Sequence, residues 1–137
     1  TDGRKMSKSY DNAIYLSERG KELRRKIESM FTDPRRQRKS DPGRPEVCNV
    51  FAFHNIYSPP AEIAQIDEDC RRAAIGCVQC KKRLADRIEE GLRPIHDRQE
   101  YYRSNIREVH DIITDGNERA RRVARATMAE VRDAIRI

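Results

Sequence analysis

The apolar residues of this chain recur three and four positions apart, which is the spacing of one face of an α-helix. Leu84, Ile88 and Leu92 show the pattern clearly, and Leu23 and Ile27 show it near the amino end. Strand-favouring runs of Val, Ile, Phe and Tyr are almost absent, whereas the helix formers Arg, Ala, Glu, Leu and Lys dominate. A length of 137 residues fits one domain with a modest core. We therefore predict an all-α fold, a helical bundle.

Capping and breaking residues predict where the helices begin and end. We expect a first helix after an N-cap at Ser17, ending near Thr32–Pro34, and a second helix from about Pro45 to Ile56. Ser58 should cap a third helix, with Pro59 and Pro60 in its first turn. Pro94 should kink or break the long helix that follows. Gly116 and Asn117 should mark the boundary before the last helix. That last helix should carry an apolar stripe at Ala120, Ala124, Thr127, Met128, Val131 and Ile135.

Charge is abundant and unevenly placed. Charged residues make up 38% of the chain, and the formal net charge is +6. Residues 1–45 hold 13 Lys and Arg against 7 Asp and Glu, with a dense basic run at 35–39. Such a run often contacts phosphate, but a solvated, flexible linker face explains it equally well. No apolar stretch approaches the length of a membrane span.

Residues 5–9 spell Lys-Met-Ser-Lys-Ser, preceded by Asp-Gly-Arg and followed by Tyr-Asp-Asn. Two ammonium groups and two hydroxyls on one mobile loop can close over a triphosphate and neutralise the charge that builds on a leaving pyrophosphate. The alternative is a solvated basic turn. Agreement of all five residues and both flanks favours the phosphate-binding loop.

The four cysteines, Cys48, Cys70, Cys77 and Cys80, have the spacing C-x21-C-x6-C-x2-C. Four thiols with none left over, the last pair at the start of a helix, indicate a tetrahedral or cuboidal metal site, near cations that stabilise thiolates. A 4Fe–4S cluster tolerates one close pair with two scattered ligands, whereas zinc usually takes two close pairs. Zinc and inert buried or free thiols stay open as alternatives. We expect His54, His96 and His110 to be isolated helix residues rather than ligands.

Several segments together resemble the carboxyl-terminal portion of the bacterial tryptophan–tRNA synthetases, which are class I aminoacyl-tRNA synthetases. The Lys-Met-Ser-Lys-Ser loop with the Asn-Ala-Ile that follows is the first of these segments. The others are 41–49 with its Asp-Pro-Gly and Asn, 76–85 entering the long helix, Leu92-Arg93-Pro94-Ile95, and 116–135. The tyrosine enzymes share the general layout, but the Pro-Gly and terminal-helix segments look closer to the tryptophan enzymes.

The resemblance implies roles for the loop and for the cysteines. Lys5 and Lys8 would be catalytic and contact the phosphates of ATP, with magnesium supplied in the parent enzyme. Ser7 and Ser9 would bind phosphate or steady the closed loop, and Met6 would pack the loop against a catalytic domain. The cysteine pattern resembles the subset of these enzymes with a 4Fe–4S cluster in the anticodon-binding domain, and a cytoplasmic, reducing location argues against disulfides.

The resemblance also implies an organisation and partners. Residues 1–17 would be the catalytic loop and connector, and 18–137 the anticodon-binding domain that recognises tRNA. We expect a carboxyl-terminal fragment, inactive alone, of an enzyme whose Rossmann-type half is missing here and which is a homodimer. Candidate anticodon contacts are Arg35 to Lys39, Arg71, Lys81 and Lys82. The alternatives are an iron–sulfur or zinc-binding RNA module without ligase activity, a tyrosine–tRNA ligase fragment, and a plain helical interaction domain.

Overall fold

Residues 2–137, described by a computed structural model, form five α-helices and no strand. The helices are α1 (Gly20–Glu28), α2 (Asn49–Tyr57), α3 (Pro60–Arg71), α4 (Cys77–Ser104) and α5 (Ile106–Ile135). Single turns of 3-10 helix lie at Lys8–Tyr10 and Pro45–Val47. The all-α prediction is confirmed. No helix within the described residues is long and apolar enough to cross a membrane.

The chain divides into two compact units, with the boundary between His96 and Asp97, inside α4. The predicted division at residue 17 into a catalytic loop and a helical domain stays a prediction. Thr1, the first residue of the predicted loop, lies outside the described residues. The loop, the basic run and the cysteines all belong to the first unit.

The core of the first unit joins α1, α2 and α4. Leu23 and Ile27 of α1, and Met30 just after it, are buried here. The other buried side chains are Val50 from α2 and Leu84, Ala85, Ile88 and Leu92 from α4. Burying large aliphatic side chains stabilises each of them by about 1.5–3 kcal/mol relative to exposure. The helical spacing in the sequence therefore identified the faces that pack together.

The start of α1 differs from the prediction at Ser17. The helix begins at Gly20, and no side chain of the preceding residues caps it. Glu89 of α4 caps the helix instead. Its carboxylate accepts a hydrogen bond from the Gly20 N–H (3.0 Å) and forms an ion pair with Arg24 (2.6 Å). Gly20 has a φ of +57°, a conformation that glycine adopts without strain.

Two further predicted boundaries are wrong. Ser58 follows the end of α2 and does not cap α3, since its N–H donates to the carbonyl of His54 (2.8 Å). Gly116 and Asn117 lie inside α5, and the break before that helix falls at Asn105, whose side chain donates to the carbonyl of Tyr101 (2.7 Å). The helix formers around Gly116 outweigh its cost of about 1 kcal/mol. Pro94 lies within α4 and does not end it.

The second unit contains the end of α4 and all of α5. The Tyr101 and Tyr102 rings meet edge to face with centroids 5.3 Å apart, and the Tyr101 hydroxyl donates to Glu108 (2.7 Å). No residue of α5 is buried, so the predicted apolar stripe on the last helix is exposed.

A bidentate ion pair closes the loop between α1 and α2. The Asp33 carboxylate accepts hydrogen bonds from the Arg44 guanidinium (2.7 and 3.0 Å) and from the backbone N–H groups of Arg35 and Arg44 (3.0 Å each). Asp33 is buried, and the Arg44 guanidinium holds the pKa of its carboxyl well below the ordinary value. The pair therefore brings the two ends of residues 33–44 together.

Replacing Ile27 tests the core. Ile27→Ala removes a fully buried side chain and should lower the free energy of unfolding by about 2–5 kcal/mol. The matched control is Ile56→Ala, because Ile56 is 71% exposed and its loss should change that free energy by about 0.5 kcal/mol or less. Urea denaturation followed by circular dichroism measures both, and equal costs would contradict this core.

Replacing Asp33 tests the ion pair. A carboxyl whose pKa is depressed by folding stabilises the fold above its unfolded pKa of about 4, and this contribution is lost as the pH falls toward the folded value. Asp33→Asn should therefore lower the melting temperature at pH 7 and make the loss of stability below pH 4 shallower. Asp111→Asn, on the exposed face of α5, should do neither. An unaltered pH profile in Asp33→Asn would show that the pair contributes nothing.

Candidate phosphate loop and cysteine site

Asn12 organises the Lys-Met-Ser-Lys-Ser loop. Its side chain is buried, and its amide oxygen accepts the Ser7 N–H (2.8 Å). The amide nitrogen donates to the Asp2 carboxylate (2.8 Å) and to the Lys5 carbonyl (3.3 Å). One side chain thus satisfies backbone groups of two residues within the motif and fixes the path of the loop.

The second half of the motif forms a helical turn. The Ser7 hydroxyl accepts the Ser9 N–H (3.2 Å) and caps the 3-10 turn Lys8–Tyr10. The turn ends at Asp11, whose φ of +46° is a left-handed conformation that Asp tolerates. Ser7 therefore shapes the loop, while Ser9 and Met6 are exposed.

The two lysines of the motif are free to bind an anion. Asp2 is already engaged by Arg4 (2.6 Å), which lowers the pKa of the Asp2 carboxyl, and the Arg4 guanidinium lies 4.3 Å from the centre of the Tyr10 ring. Lys5 and Lys8 are exposed, and no side chain within residues 2–137 pairs with either ammonium group. The loop therefore presents two uncompensated positive charges.

A buried lysine fastens the connector behind this loop to α1. The Lys26 ammonium donates to the Ala13 carbonyl (2.7 Å) and to the Glu18 carboxylate, and it lies 4.8 Å from the centre of the Tyr15 ring. The phosphate loop is therefore attached to the same helix that fills the core.

The four cysteines line one small cavity. Cys48 precedes α2, Cys70 lies in the last turn of α3, and Cys77 and Cys80 lie in the first turn of α4. Their cavity has a volume of about 20 Å³, and Thr32, Arg36, Val50 and Ile75 complete its wall. The thiols are free, and no three His, Cys, Asp or Glu side chains in the described part of the chain are arranged to hold a single metal ion. The structure brings the predicted ligands together, and the metal stays a prediction.

Burial and mutual repulsion suppress thiolate formation in this cavity. Burial, together with the neighbouring Cys48, Cys70 and Cys77, raises the pKa of the Cys80 thiol to about 12. Burial also raises the pKa of the Cys70 thiol, opposed by Arg36. The thiols are therefore close enough to influence one another electrostatically.

Arg36 is the cation of the cysteine cavity. It is nine-tenths buried, and its guanidinium donates to the carbonyls of Lys39 (3.0 Å) and Ile75 (2.7 Å) and to the Cys70 sulfur (3.6 Å). Its Nε is buried and has no hydrogen-bond partner among the described residues. Arg36 thus joins the loop 33–44 to the turn between α3 and α4.

Gly43 allows this close approach. A Cβ at this position would lie 2.5 Å from the Cys70 sulfur and 3.3 Å from the Arg36 side chain. The Gly43 N–H also donates to the Cys70 carbonyl (2.9 Å). Any larger residue here would push the loop away from the thiols.

His54 lies beside Cys80. Its Nε2 is 3.3 Å from the Cys80 carbonyl oxygen and 3.5 Å from the Cys80 sulfur, and its Nδ1 is 2.7 Å from the Ser58 hydroxyl. Because a carbonyl can only accept, Nε2 carries the proton and Nδ1 accepts from Ser58. Burial lowers the pKa of His54, which favours this neutral form. Of the other histidines, His96 contacts the Leu16 carbonyl (2.9 Å) and His110 is exposed.

Next to the cysteines, the surface opens into a basic cavity of about 510 Å³. Arg36, Arg38, Lys39 and Lys82 line it together with the first residues of α4. Other predicted anticodon contacts are engaged elsewhere. Arg71 pairs with Asp67 and Glu46 (3.0 Å each), and Lys81 donates to the Glu28 carbonyl (2.6 Å).

Sequence reasoning missed the residues that support these sites. His54 and Arg36 touch cysteines 26 and 34 positions away, and such pairings leave no local signal. Weak signals existed for two others, because Asn12 lies three residues after the motif and Gly43 follows a proline in a segment that enters a helix.

The comparisons with known proteins agree on one family. Residues 1–93 match the family described as tRNA synthetases class I (W and Y). The tryptophan–tRNA ligases of Aquifex aeolicus and Thermotoga maritima are each 44% identical to the chain over 138 residues, covering all of it but only 35% and 42% of their own lengths.

A crystal structure of tryptophanyl-tRNA synthetase from Campylobacter jejuni shares the fold with a TM-score of 0.88. It is 24% identical, and the match covers all of this chain and 44% of that one. The chain therefore spans roughly two fifths of the length of such relatives. With the family match covering more than half of its residues, the chain belongs to the class I tRNA synthetases of the tryptophan and tyrosine group.

Proposed function

We propose that this chain acts within a tryptophan–tRNA ligase, which uses ATP to join tryptophan to tRNA in the cytoplasm. It would supply the loop that binds the ATP phosphates and the helices that meet the tRNA. The observation that carries the proposal is the pair of exposed, unpaired ammonium groups at Lys5 and Lys8, on a loop held by Asn12. Tryptophan is favoured over tyrosine because both 44% identical relatives are tryptophan ligases.

The first step would form tryptophanyl-adenylate. An oxygen of the tryptophan carboxylate attacks the α-phosphorus of ATP, a new P–O bond forms, and the bond to the β-phosphate breaks to release pyrophosphate. Lys8, with Lys5 beside it, would offset the negative charge that grows on the leaving group. Ser9 and the backbone of the 3-10 turn would add hydrogen bonds to phosphate. Met6 would pack the closed loop against the catalytic half of the enzyme.

The second step would transfer the tryptophanyl group to the 3′ end of tRNA and release AMP. We assign the basic cavity beside α4 to the RNA, because Arg38, Lys39 and Lys82 gather positive charge there without a carboxylate in its wall. Binding through such charges weakens steeply with salt. Arg36 lines both the basic cavity and the cysteine cavity. RNA bound in the basic cavity would therefore lie next to the cysteines.

We also propose that Cys48, Cys70, Cys77 and Cys80 hold a 4Fe–4S cluster. The buried Arg36 Nε fits this proposal, since Arg36 lines the thiol cavity and its Nε needs an acceptor that the described residues do not supply. Zinc fits less well, because structural zinc usually takes its thiolates from two close pairs, and this chain has one such pair, Cys77 and Cys80. When bound, the cluster would supply covalent bonds that tie the starts of α2 and α4 to the end of α3.

Lys8→Ala tests the phosphate loop in the complete ligase. Adenylate formation, measured by tryptophan-dependent pyrophosphate exchange, should slow about 100-fold or more, because one charged donor to the leaving group is lost. The affinity for tryptophan should change little. The control is Lys21→Ala, which removes an exposed lysine of α1. An unchanged rate in Lys8→Ala would remove this residue from the mechanism.

Metal analysis of the anaerobically purified chain tests the cysteine site. We expect a brown protein with about four iron and four acid-labile sulfide per chain. Cys80→Ser should lose most of this iron, because it removes one of the four sulfur ligands. A colourless protein with one zinc, or with no metal, would contradict the cluster.

A further inference from the structure

We propose that Arg36 is the positioning residue of the cysteine site: its Nη1 donates to the Cys70 sulfur, while its Nη2 donates to carbonyls of the two backbone segments that flank the site. This inference rests on the proposed cluster and goes beyond it, because it assigns a role to a residue outside the thiol set.

The first support is the cost of burying this side chain. A guanidinium never loses its charge in a protein, and an unpaired buried charge is strongly destabilising. Arg36 has two carbonyl acceptors and one weak sulfur acceptor, and its Nε has none among the described residues. Neither carbonyl carries a negative charge, and no carboxylate lines the cavity. An anionic acceptor inside the cavity would supply the missing compensation.

The second support is the chemistry of a thiolate-ligated cluster. Its sulfurs carry negative charge and accept hydrogen bonds, and such hydrogen bonds and nearby cations raise the reduction potential. Arg36 lies where both effects act on the Cys70 side, and Gly43 leaves the space that brings the two groups together. His54 lies at the other end of the site, where its Nε2 is 3.5 Å from the Cys80 sulfur.

The third support is mechanical. Arg36 bonds to the Lys39 carbonyl on its own loop and to the Ile75 carbonyl just before α4. Lys39 and Gly76, next to Ile75, also line the basic cavity. The same side chain therefore fixes the distance between the cysteines and the wall assigned to RNA.

The test uses the full chain, purified and reconstituted without oxygen, as wild type, Arg36→Met, Arg36→Lys and the control Arg35→Met. Arg35 is adjacent and carries the same charge, but it is exposed and contacts no cysteine. The readouts are the reduction potential, the electron paramagnetic resonance spectrum of the reduced protein, and the rate of iron loss to a chelator.

We expect Arg36→Met to shift the potential to more negative values, because the reduced cluster loses a cation and a donor, and to lose iron about 10-fold faster or more. Arg36→Lys keeps the charge but cannot hold both carbonyls and the sulfur, so its shift should be smaller and its spectrum altered. Arg35→Met should match wild type. If Arg36→Met does not fold by circular dichroism, Arg36→Lys decides: an altered potential or spectrum supports the role.

Wild-type potential and spectrum in the folded Arg36 variants would overturn the inference and leave the cluster proposal standing. Wild-type protein without iron would overturn both together. The two failures are therefore distinguishable by the iron content of the wild-type chain.

Discussion

The burial of a fixed positive charge at Arg36 is the constraint that organises this half of the molecule. Its guanidinium reaches from the loop after α1 to the turn before α4, and the Asp33–Arg44 pair closes that loop around it. Four cysteines from three stretches of chain line the same small cavity. A charge buried there needs hydrogen-bond acceptors. The carbonyls of Lys39 and Ile75 and the Cys70 sulfur supply them, which holds these backbone segments close to Arg36.

The phosphate loop is built on a different principle. Its lysines extend into solvent, and a neutral amide, Asn12, holds the backbone from beneath. The connector is then attached to α1 by the buried Lys26. Rigid support with free charged ends suits a loop that must meet a polyphosphate, because the cations stay available until the ligand arrives. Both sites depend on α1 and α4, whose apolar faces pack into one core.

The sequence predicted what local patterns encode. Apolar spacing identified the helices and most of the buried face, and the cysteine spacing placed four thiols together. Helix ends were predicted less well. Glu89, which is distant in the sequence, caps α1 in place of Ser17. Long runs of helix formers carry α5 past Gly116. The contacts of Arg36 with Cys70 and Ile75, and of His54 with Cys80, span 26 to 39 positions, so only the folded chain reveals them.

We propose that the cysteine cavity holds an iron–sulfur cluster beside the Arg36 guanidinium. X-ray absorption at the iron and zinc edges of the anaerobically purified chain identifies the metal and its neighbours. We expect iron surrounded by sulfur alone, with neighbouring iron atoms in the scattering. Zinc alone, or iron bound by nitrogen and oxygen, would contradict it.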